Sequence, residues 1–176
     1  VTNLGACLAL KDGRTSFPPM TEARENVQDY PRPPALEPVA ETLRVVFAGV
    51  EVARTGAGYR VLETHHPPTY YIPPSDVLAG ALVPVGGRSV CEWKGRAVYF
   101  DVTAGGHRAR RAAWAYPEPT EAFRQIAGFV SFYPGAMEAC HVGARKVRPQ
   151  PGDFYGGWVT DDLDGIVKGG PGTLHW

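Results

Sequence analysis

The sequence lacks the features by which several large classes of protein are recognised. No apolar run approaches the ~20 residues that a membrane-spanning helix needs. No basic region followed by an apolar core and a cleavage site marks a secretory signal. The 18 basic and 18 acidic side chains balance, so no net charge favours nucleic acid or an anionic membrane. These absences predict a cytoplasmic protein whose partners are neither nucleic acids nor membranes.

Cysteine is scarce, and the usual motifs of metal and phosphate sites are missing. Cys7, Cys91 and Cys140 form an odd, widely spaced set, which argues against a disulfide framework and favours a reducing compartment. No Cys-x-x-Cys, His-x-x-x-His or His-Glu-x-x-His pattern occurs. Residues 86–89, Gly-Gly-Arg-Ser, lack the lysine of a phosphate-binding loop. We therefore predict no metal site, and the sequence indicates no particular cofactor.

The chain suits one globular domain with flanking segments, since it has 176 residues of which 44% are hydrophobic. Residues 1–38 are rich in proline and poor in periodic apolar positions, which is typical of an extended tail. Residues 39–148 are predicted to form a β-rich core domain, and the glycine-rich residues 149–176 an extension packed on that core. Because a plausible chain start follows Met20, we interpret residues 1–19 as upstream sequence or as the result of a misassigned start site.

Alternating apolar residues predict strands through most of the core domain. The clearest strand is 96–103, in which Val98, Phe100 and Val102 alternate with other residues. The following Gly-Gly pair predicts a hairpin turn to a partner strand at 107–116, whose basic run is interpreted as a solvated face. Further strands are predicted at 44–53 (two short strands around Ala48-Gly49), 59–64 and 137–142, with a loop or short strand at 82–91.

One short helix is predicted near 120–131. Thr120 can cap its N-terminus, and Glu121 suits the helix dipole. Apolar residues recur at helical spacing from Phe123 to Val130, which predicts one buried face. The whole pattern therefore predicts a mainly β fold, either a compact antiparallel two-sheet sandwich or an open barrel, with a single short helix.

The most informative stretch is 63–74, which holds two histidines, two tyrosines, a carboxylate and four prolines. Prolines restrict the backbone, so the polar groups between them are held in place. Imidazole titrates near neutrality, so Glu63 or His66 could act as a general acid or base. Because adjacent residues on an extended chain point to opposite faces, only one of His65 and His66 is expected to face a pocket. The alternative is a histidine that merely hydrogen-bonds the backbone near a turn.

Three further clusters, at 91–95, 114–117 and 154–158, combine aromatic residues with glycine, proline or an ionisable group. Cys91 could be an activated nucleophile or a small buried hydrophobe. Lys94 could stabilise an anion or be a loop lysine exposed to water. The aromatic residues could line a cavity for a flat or cationic ligand, or form ordinary core. The predicted ligand-binding residues are Tyr70, Tyr71, Trp93, Trp114, Tyr116, Tyr155, Gly156 and Trp158.

The sequence contains several distinctive segments, in this order: 29–34 (DYPRPP), 44–49 (RVVFAG), 62–64 with 66–68, 70–73 (YYIP), Cys91 with 94–95, 113–117 (AWAYP) and 154–158 (FYGGW). Together they resemble a bacterial and fungal family, domain-of-unknown-function family 427, which is sometimes labelled nucleotidyltransferase-like. The resemblance spans about 29–172. It implies a compact domain of antiparallel sheets akin to the β-tent folds, and it implies no particular reaction.

The nucleotidyltransferase label implies a Gly-Gly turn followed by a spaced Asp-x-Asp that holds magnesium. Only four residues separate Gly156-Gly157 from Asp162-Leu163-Asp164, too few for the usual intervening helix turn. In addition, the next position is Gly165, where the nucleotidyltransferase pattern has an apolar strand residue. Relatives of the tent folds hold zinc through two Cys-x-x-Cys pairs, which this sequence does not contain. The resemblance therefore implies neither a magnesium site nor a zinc site in this chain.

The leading functional hypothesis is a β-rich domain that binds a small molecule in an aromatic pocket with histidine and lysine. The first alternative is an enzyme that uses Glu63 or His66 as acid or base, with Cys91 or Lys94. The second is a protein-interaction module whose segment 30–34 docks on a partner, although this segment could equally strap across its own domain. Self-association is expected if an edge strand such as Arg44–Ala48 is unpaired.

Overall fold

The computed structural model describes residues 24–152 and 154–173. The predictions for Cys7 and for residues 1–19 fall outside these residues. In the described part of the chain strands predominate, and the helices are short 3-10 turns. The strands are β1 (Glu25–Asn26), β2 (Ala35–Pro38), β3 (Leu43–Phe47), β4 (Val50–Thr55), β5 (Tyr59–Leu62), β6 (Thr69–Tyr71), β7 (Leu82–Cys91), β8 (Gly95–Ala104), β9 (His107–Ala115), β10 (Val130–Phe132), β11 (Ala139–Val142), β12 (Arg145–Lys146), β13 (Arg148–Pro149), β14 (Trp158–Val159) and β15 (Leu163–Asp164). The 3-10 helices are Val27–Asp29, Pro74–Asp76, Glu121–Ile126 and Pro134–Ala136.

The prediction of a mainly β fold with antiparallel sheets is confirmed. Two four-stranded sheets have the orders β10-β9-β8-β7 and β12-β11-β3-β4, and a three-stranded sheet has the order β2-β5-β6. Two-stranded pairs join β13 to β14 and, in parallel, β1 to β15. Each of these orders has two ends, so no sheet of the described residues closes into a barrel.

The two predicted hairpins form where glycine permits left-handed backbone. Ala48 and Gly49, with φ of 50° and 73°, connect β3 to β4. Gly105 and Gly106, with φ of 55° and 77°, connect β8 to β9. Two consecutive residues with positive φ match the turns that join twisted antiparallel strands. The glycines in the sequence therefore predicted the positions of both turns correctly.

Residues 82–91 form a ten-residue strand, not the predicted loop or short strand. The ladder between β7 and β8 shifts register between Val85 and Arg88, which leaves the two intervening glycines in a bulge. Gly87 has a φ of 96°, and a Cβ there would lie 2.6 Å from the Arg111 guanidinium. A bulge of this kind interrupts the alternation of side chains, which is why the strand was not recognised.

The predicted helix is shorter than its apolar spacing suggested. A 3-10 helix covers Glu121–Ile126, and Val130 begins strand β10. The Thr120 side chain does not cap the helix; its hydroxyl donates to the Trp93 carbonyl at 2.6 Å. Phe123 is buried, as predicted. Pairing of β10 with β9 outweighs the weak helical preference of this segment.

The segment 24–38 is built into the domain. Strand β2 pairs with β5, and Val27 is fully buried. Arg60 of β5 forms ion pairs with Glu25 at 3.0 Å and Glu37 at 2.9 Å. This part of the predicted tail therefore packs on its own domain. The division of the chain into three segments at 38 and 148 stays a prediction.

The strand predicted to be an open edge is an interior strand. Leu43–Phe47 lies between β11 and β4, because the distant strand Ala139–Val142 returns to pair with it. The condition for self-association through Arg44–Ala48, an unpaired edge, is therefore not met, and homo-oligomer formation stays a prediction. That pairing partner is almost one hundred residues away in sequence, so local patterns gave no sign of it.

Two sheets meet at one edge and so create a concave surface. Ile72, which follows β6, and Val130 of β10 exchange backbone hydrogen bonds of 2.8 Å in both directions. Phe132 belongs to the main apolar core on one side of this junction. Trp114 and Ile126 belong to a second apolar cluster. Side chains of this second cluster line the cleft described next.

Candidate functional site

One cleft gathers most of the predicted site residues. It has a volume of about 1190 Å³. Strands β5 and β6, the β7–β8 hairpin, strand β9 and the segment 149–156 contribute to its wall. All predicted catalytic and ligand-binding residues except Tyr70 and Trp158 line it. The predicted residues that line it are Glu63, His66, Tyr71, Cys91, Trp93, Lys94, Trp114, Tyr116, Tyr155 and Gly156.

Tyr70 and Trp158 lie in the apolar core instead of the cleft. Their ring centroids are 5.1 Å apart, and both residues are buried. The Trp158 indole N–H donates to the Phe132 carbonyl at 3.0 Å, which satisfies its polar atom. Tyr70 and Tyr71 are neighbours on strand β6, so they face opposite sides of the sheet. Only Tyr71 faces the cleft.

His66 is held at the cleft wall by Gln150. The Gln150 side-chain N–H₂ group donates to His66 Nδ1 at 3.1 Å and to the Lys168 carbonyl at 2.8 Å. Its Oε1 accepts from the Gly157 backbone N–H at 3.2 Å. The two backbone contacts fix which end of the amide is nitrogen. His66 Nδ1 must therefore be the acceptor, so the neutral ring carries its proton on Nε2.

The environment of His66 favours the neutral ring. Burial, followed by the charges of Lys168 and Lys94, lowers the pKa of His66 to about 4. A proton on Nδ1 would also face the N–H₂ group of Gln150. His66 is therefore neutral at physiological pH and presents a hydrogen-bond donor at Nε2. His65, its neighbour, is not among the residues that line the cleft.

Lys94 is buried, in contrast to the exposed loop lysine considered from the sequence. Only 9% of its surface is exposed, because the turn that carries it packs on the segment before the 3-10 helix at 121–126. Thr120 holds this turn through a backbone hydrogen bond of 3.3 Å to the Lys94 carbonyl. The ammonium group lies 5.6 Å from the Phe123 ring centroid and 5.9 Å from that of Tyr116. No carboxylate of the described residues pairs with it.

Cys91 lies beside tyrosines. Burial is the main cause of the raised pKa of Tyr116, and the neighbouring Cys91 and Tyr99 raise this pKa further. The Cys91 thiol therefore lies close to the Tyr116 phenol. Among the described residues, no hydrogen bond or ion pair joins Cys91 to Glu63, His66 or Lys94. Catalytic contacts can tighten only when substrate binds, so the enzyme hypothesis stays a prediction.

Two buried hydrogen-bond donors of the cleft wall have no partner. Tyr71 is fully buried and its hydroxyl makes no hydrogen bond within the described part of the chain, and the same holds for the Trp93 indole N–H. The Trp114 side chain is close enough to act on the pKa of Tyr71, which burial raises, but it does not reach hydrogen-bond geometry. Unpaired buried donors are uncommon in native structures.

The two glycines of the FYGGW motif allow close contacts that hold the wall together. A Cβ on Gly156 would overlap the Trp114 indole, and one on Gly157 would overlap Oε1 of Gln150. Tyr155, just before them, packs edge-on against His66 with a centroid distance of 4.6 Å. Segment 154–158 thus joins the histidine segment to strand β9. Because Gly156 has no side chain, it leaves room for the Trp114 ring.

Several lining residues were not selected from the sequence. Gln150 and Lys168 orient or influence His66, and Arg32 lies 5.8 Å from the Trp93 ring centroid. Gln150 stands between Pro149 and Pro151, the same rigid setting that drew attention to the histidines, so that signal was present. The other lining residues of this kind include Tyr99, Arg111 and Tyr133.

The aspartates considered for a magnesium site serve the fold. Asp162 lies 3.4 Å from Arg145, and Asp164 forms an ion pair of 2.7 Å with Arg24. Neither lines the cleft. Residues 24–152 and 154–173 contain no group of three or more His, Cys, Asp or Glu side chains placed to hold a metal ion. Over the same ranges, no helix has the length and apolar character needed to cross a membrane.

The sequence of residues 35–143 matches the model of the family described as Domain of unknown function (DUF427). The match covers more than half of the chain, so the protein belongs to this family, as its motifs indicated. It includes β2–β11 and most of the cleft wall, but not Gln150, Tyr155 or Lys168. No curated protein matches the chain.

Proposed function

We propose that this protein is a small-molecule-binding domain whose ligand occupies the cleft. The observation that carries the proposal is the set of unpaired polar groups at the cleft wall. Among the described residues, the Tyr71 hydroxyl and the Trp93 indole N–H are buried donors without acceptors, and Lys94 is a largely buried residue whose ammonium group pairs with no carboxylate. A buried donor left without a partner costs about 1–3 kcal/mol. A ligand with acceptor atoms would offset that cost.

The shape of the cleft supports the same proposal. Ligand sites are concave, mostly apolar and equipped with a few convergent polar groups. Here the tilted rings of Trp114 and Tyr133 are in contact at a centroid distance of 4.4 Å, and His66 packs on Tyr155. The hydrogen bonds of Gln150 hold one part of the wall in place before any ligand arrives. Such preorganisation reduces the entropic cost of binding.

A thermal-shift screen of metabolites tests the proposal, with Tyr71→Phe as the diagnostic variant. This substitution removes only the unpaired hydroxyl, so the free protein is expected to melt at or above the wild-type temperature. Tyr70→Phe is the matched control, because Tyr70 is the adjacent tyrosine on the opposite face of β6. A ligand at a hundredfold excess over its Kd stabilises the folded state by about 2.7 kcal/mol.

A compound that stabilises wild type and Tyr70→Phe, but stabilises Tyr71→Phe clearly less, supports binding in the cleft. The proposal is contradicted if a broad metabolite set yields no stabilising compound. It is also contradicted if every stabilising compound acts equally on both variants. The melting temperatures without ligand show whether either substitution damages the fold.

A further inference from the structure

The cleft offers hydrogen-bond donors at one end and aromatic surface elsewhere. We infer that its ligand is a planar organic monoanion whose carboxylate lies against Lys94, beside Trp93 and Tyr71. This inference rests on the proposed function and names its ligand class. Three observations support it: the type of the polar groups, their proximity and the apolar character of the remaining wall.

Several polar groups at the wall can donate a hydrogen bond. Lys94 offers its ammonium group, and Tyr71 and Trp93 offer the unpaired O–H and N–H. His66 offers Nε2–H, because Gln150 occupies Nδ1 as donor. Among the residues that the structure describes, the carboxylates at the wall are those of Glu63 and Glu92, and Glu92 pairs with Arg32 at 3.2 Å. A ligand that satisfies this set must bring acceptors.

These donors belong to residues that line the same cleft. Trp93 and Lys94 are consecutive residues of one turn. The Lys94 ammonium group is 5.9 Å from the Tyr116 ring centroid, and that ring is 6.4 Å from the ring of Tyr71. The charge of Lys94 also reaches His66, where it contributes to the lowered pKa. One carboxylate group has two oxygens with about four lone-pair positions, enough to engage several of these donors.

The charge at this end suits a single negative charge. Lys94 is a largely buried residue, and no carboxylate of the described residues pairs with its ammonium group. Of the other cationic residues at the wall, Arg111 lies over the Tyr99 ring at 4.0 Å and donates to the Gly86 carbonyl at 2.9 Å. A buried ion is stabilised when its counter-ion arrives with hydrogen bonds. A monoanion supplies that counter-ion without introducing excess charge.

The remainder of the wall suits a flat apolar body. Trp114 and Tyr133 contribute two rings in tilted contact, and Tyr155 lies next to Phe154 at a centroid distance of 4.9 Å. Phe154 is 79% exposed although it lines the cleft, and Val90 on the β7–β8 hairpin is 77% exposed. Apolar side chains exposed at the rim of a concave site are typical of ligand contact surfaces.

The test is isothermal titration calorimetry of the wild-type chain with three compounds of one shape: 2-naphthoate, 2-naphthamide and 2-naphthylmethylamine. They differ in the charge of one substituent. We expect the carboxylate to bind at least ~tenfold tighter than the neutral amide, and the ammonium compound to bind weakest. The variant Lys94→Met keeps the length of the side chain and removes its charge. It is expected to abolish the preference for carboxylate over amide.

Lys146→Met is the matched control, because Lys146 is exposed and does not line the cleft; it should keep the wild-type preference. Removing a buried charge that lacks a partner does not weaken the fold, so Lys94→Met is expected to melt at or above the wild-type temperature. If it melts lower, Trp93→Phe replaces it, because this change removes the indole N–H and keeps an aromatic ring. It should likewise reduce the preference for carboxylate.

Equal binding of amide and carboxylate overturns the inference and leaves small-molecule binding intact. The same holds if the preference survives in both Lys94→Met and Trp93→Phe. Failure of all three compounds to bind also overturns the inference, because the site is then not built for planar acids of this size. The metabolite screen on Tyr71→Phe decides separately whether the proposed function stands.

Discussion

Gln150 donates a hydrogen bond to Nδ1 of His66 at 3.1 Å, and this contact determines what the imidazole can do. Since the amide is oriented by two backbone groups, its N–H₂ end faces the ring. The ring therefore accepts from Gln150 at Nδ1 and can donate a hydrogen bond from Nε2. His66 is better suited to hold an acceptor atom of a ligand than to donate a proton as an imidazolium.

The tautomer and the pKa of His66 can be measured directly. Long-range ¹H–¹⁵N spectra of the imidazole should show the Nε2–H tautomer from neutral pH down to about pH 5, since the pKa of His66 is lowered to about 4. Gln150→Glu should raise the pKa of His66, because a carboxylate accepts a hydrogen bond from the protonated Nδ1 and so favours the charged ring. A wild-type ring that titrates near 6.5, or that carries its proton on Nδ1, would refute the assignment.

Stability should fall as the pH drops below about 6.5. In the unfolded chain His66 has an ordinary pKa near 6.5, whereas its pKa in the folded protein is about 4. Between these values the unfolded state binds more protons, so the free energy of unfolding decreases by at most about 1.4 kcal/mol per pH unit. Above pH 6.5 this contribution is flat. Urea titrations from pH 7.5 to 4.5 measure it.

His66→Gln should flatten that pH dependence, and His107→Gln, at the exposed first position of β9, should leave it unchanged. The difference between the two variants isolates His66 from the carboxylates that titrate at lower pH. Parallel curves for wild type and His66→Gln would show that His66 is not the group responsible.

Gly156→Ala should disturb the cleft because the new methyl group would overlap the Trp114 indole. Forcing extra volume into a packed contact typically costs about 1–3 kcal/mol. We expect a lower melting temperature and a changed Trp114 environment in the fluorescence spectrum. Gly170→Ala is the control, since a Cβ at Gly170 meets nothing within 4 Å. Equal melting temperatures for the two variants would mean that Trp114 does not depend on this glycine.

Removal of the segment before Thr42 should destabilise the domain. A chain that begins at Thr42 loses strand β2, the buried Val27 and both carboxylates that pair with Arg60, whose side chain is only 23% exposed. We expect a loss of about 3 kcal/mol or more relative to a chain that begins at Arg24. Differential scanning calorimetry measures it. Indistinguishable melting temperatures would show that the segment is dispensable, in favour of a role in docking to a partner.

The sequence predicted the class of fold because strand alternation and glycine turns are local signals. The β8–β9 hairpin is an example, since Val98 to Val102 alternate and two glycines follow. The helix was overestimated because the spacing from Phe123 to Val130 is ambiguous in a short apolar run. The tertiary partner of β10 decides its conformation, and that partner is not visible locally.

The site was partly predictable for the same physical reason. Clusters of aromatic and ionisable residues in rigid settings contained about half of the residues that line the cleft. Period-two alternation indicates that Tyr70 and Tyr71 face opposite ways, but it does not say which one faces a cleft. The burial of Lys94 depends on contact with residues 118–120 across a chain turn. The role of Gln150 depends on its approach to His66 from 84 residues away. The burial of Lys94 and the role of Gln150 therefore depend on tertiary contacts, which local sequence patterns do not reveal.

The central claim is that a ligand occupies the cleft, and indole N–H resonances test it most directly. Trp93 presents an unpaired N–H at the cleft wall, whereas the N–H of Trp158 is bonded to the Phe132 carbonyl in the core. We would titrate the compound that gives the largest thermal shift into ¹⁵N-labelled protein. The account predicts a large saturable shift of the Trp93 signal with the Trp158 signal almost unmoved. A stationary Trp93 signal at saturation would contradict it.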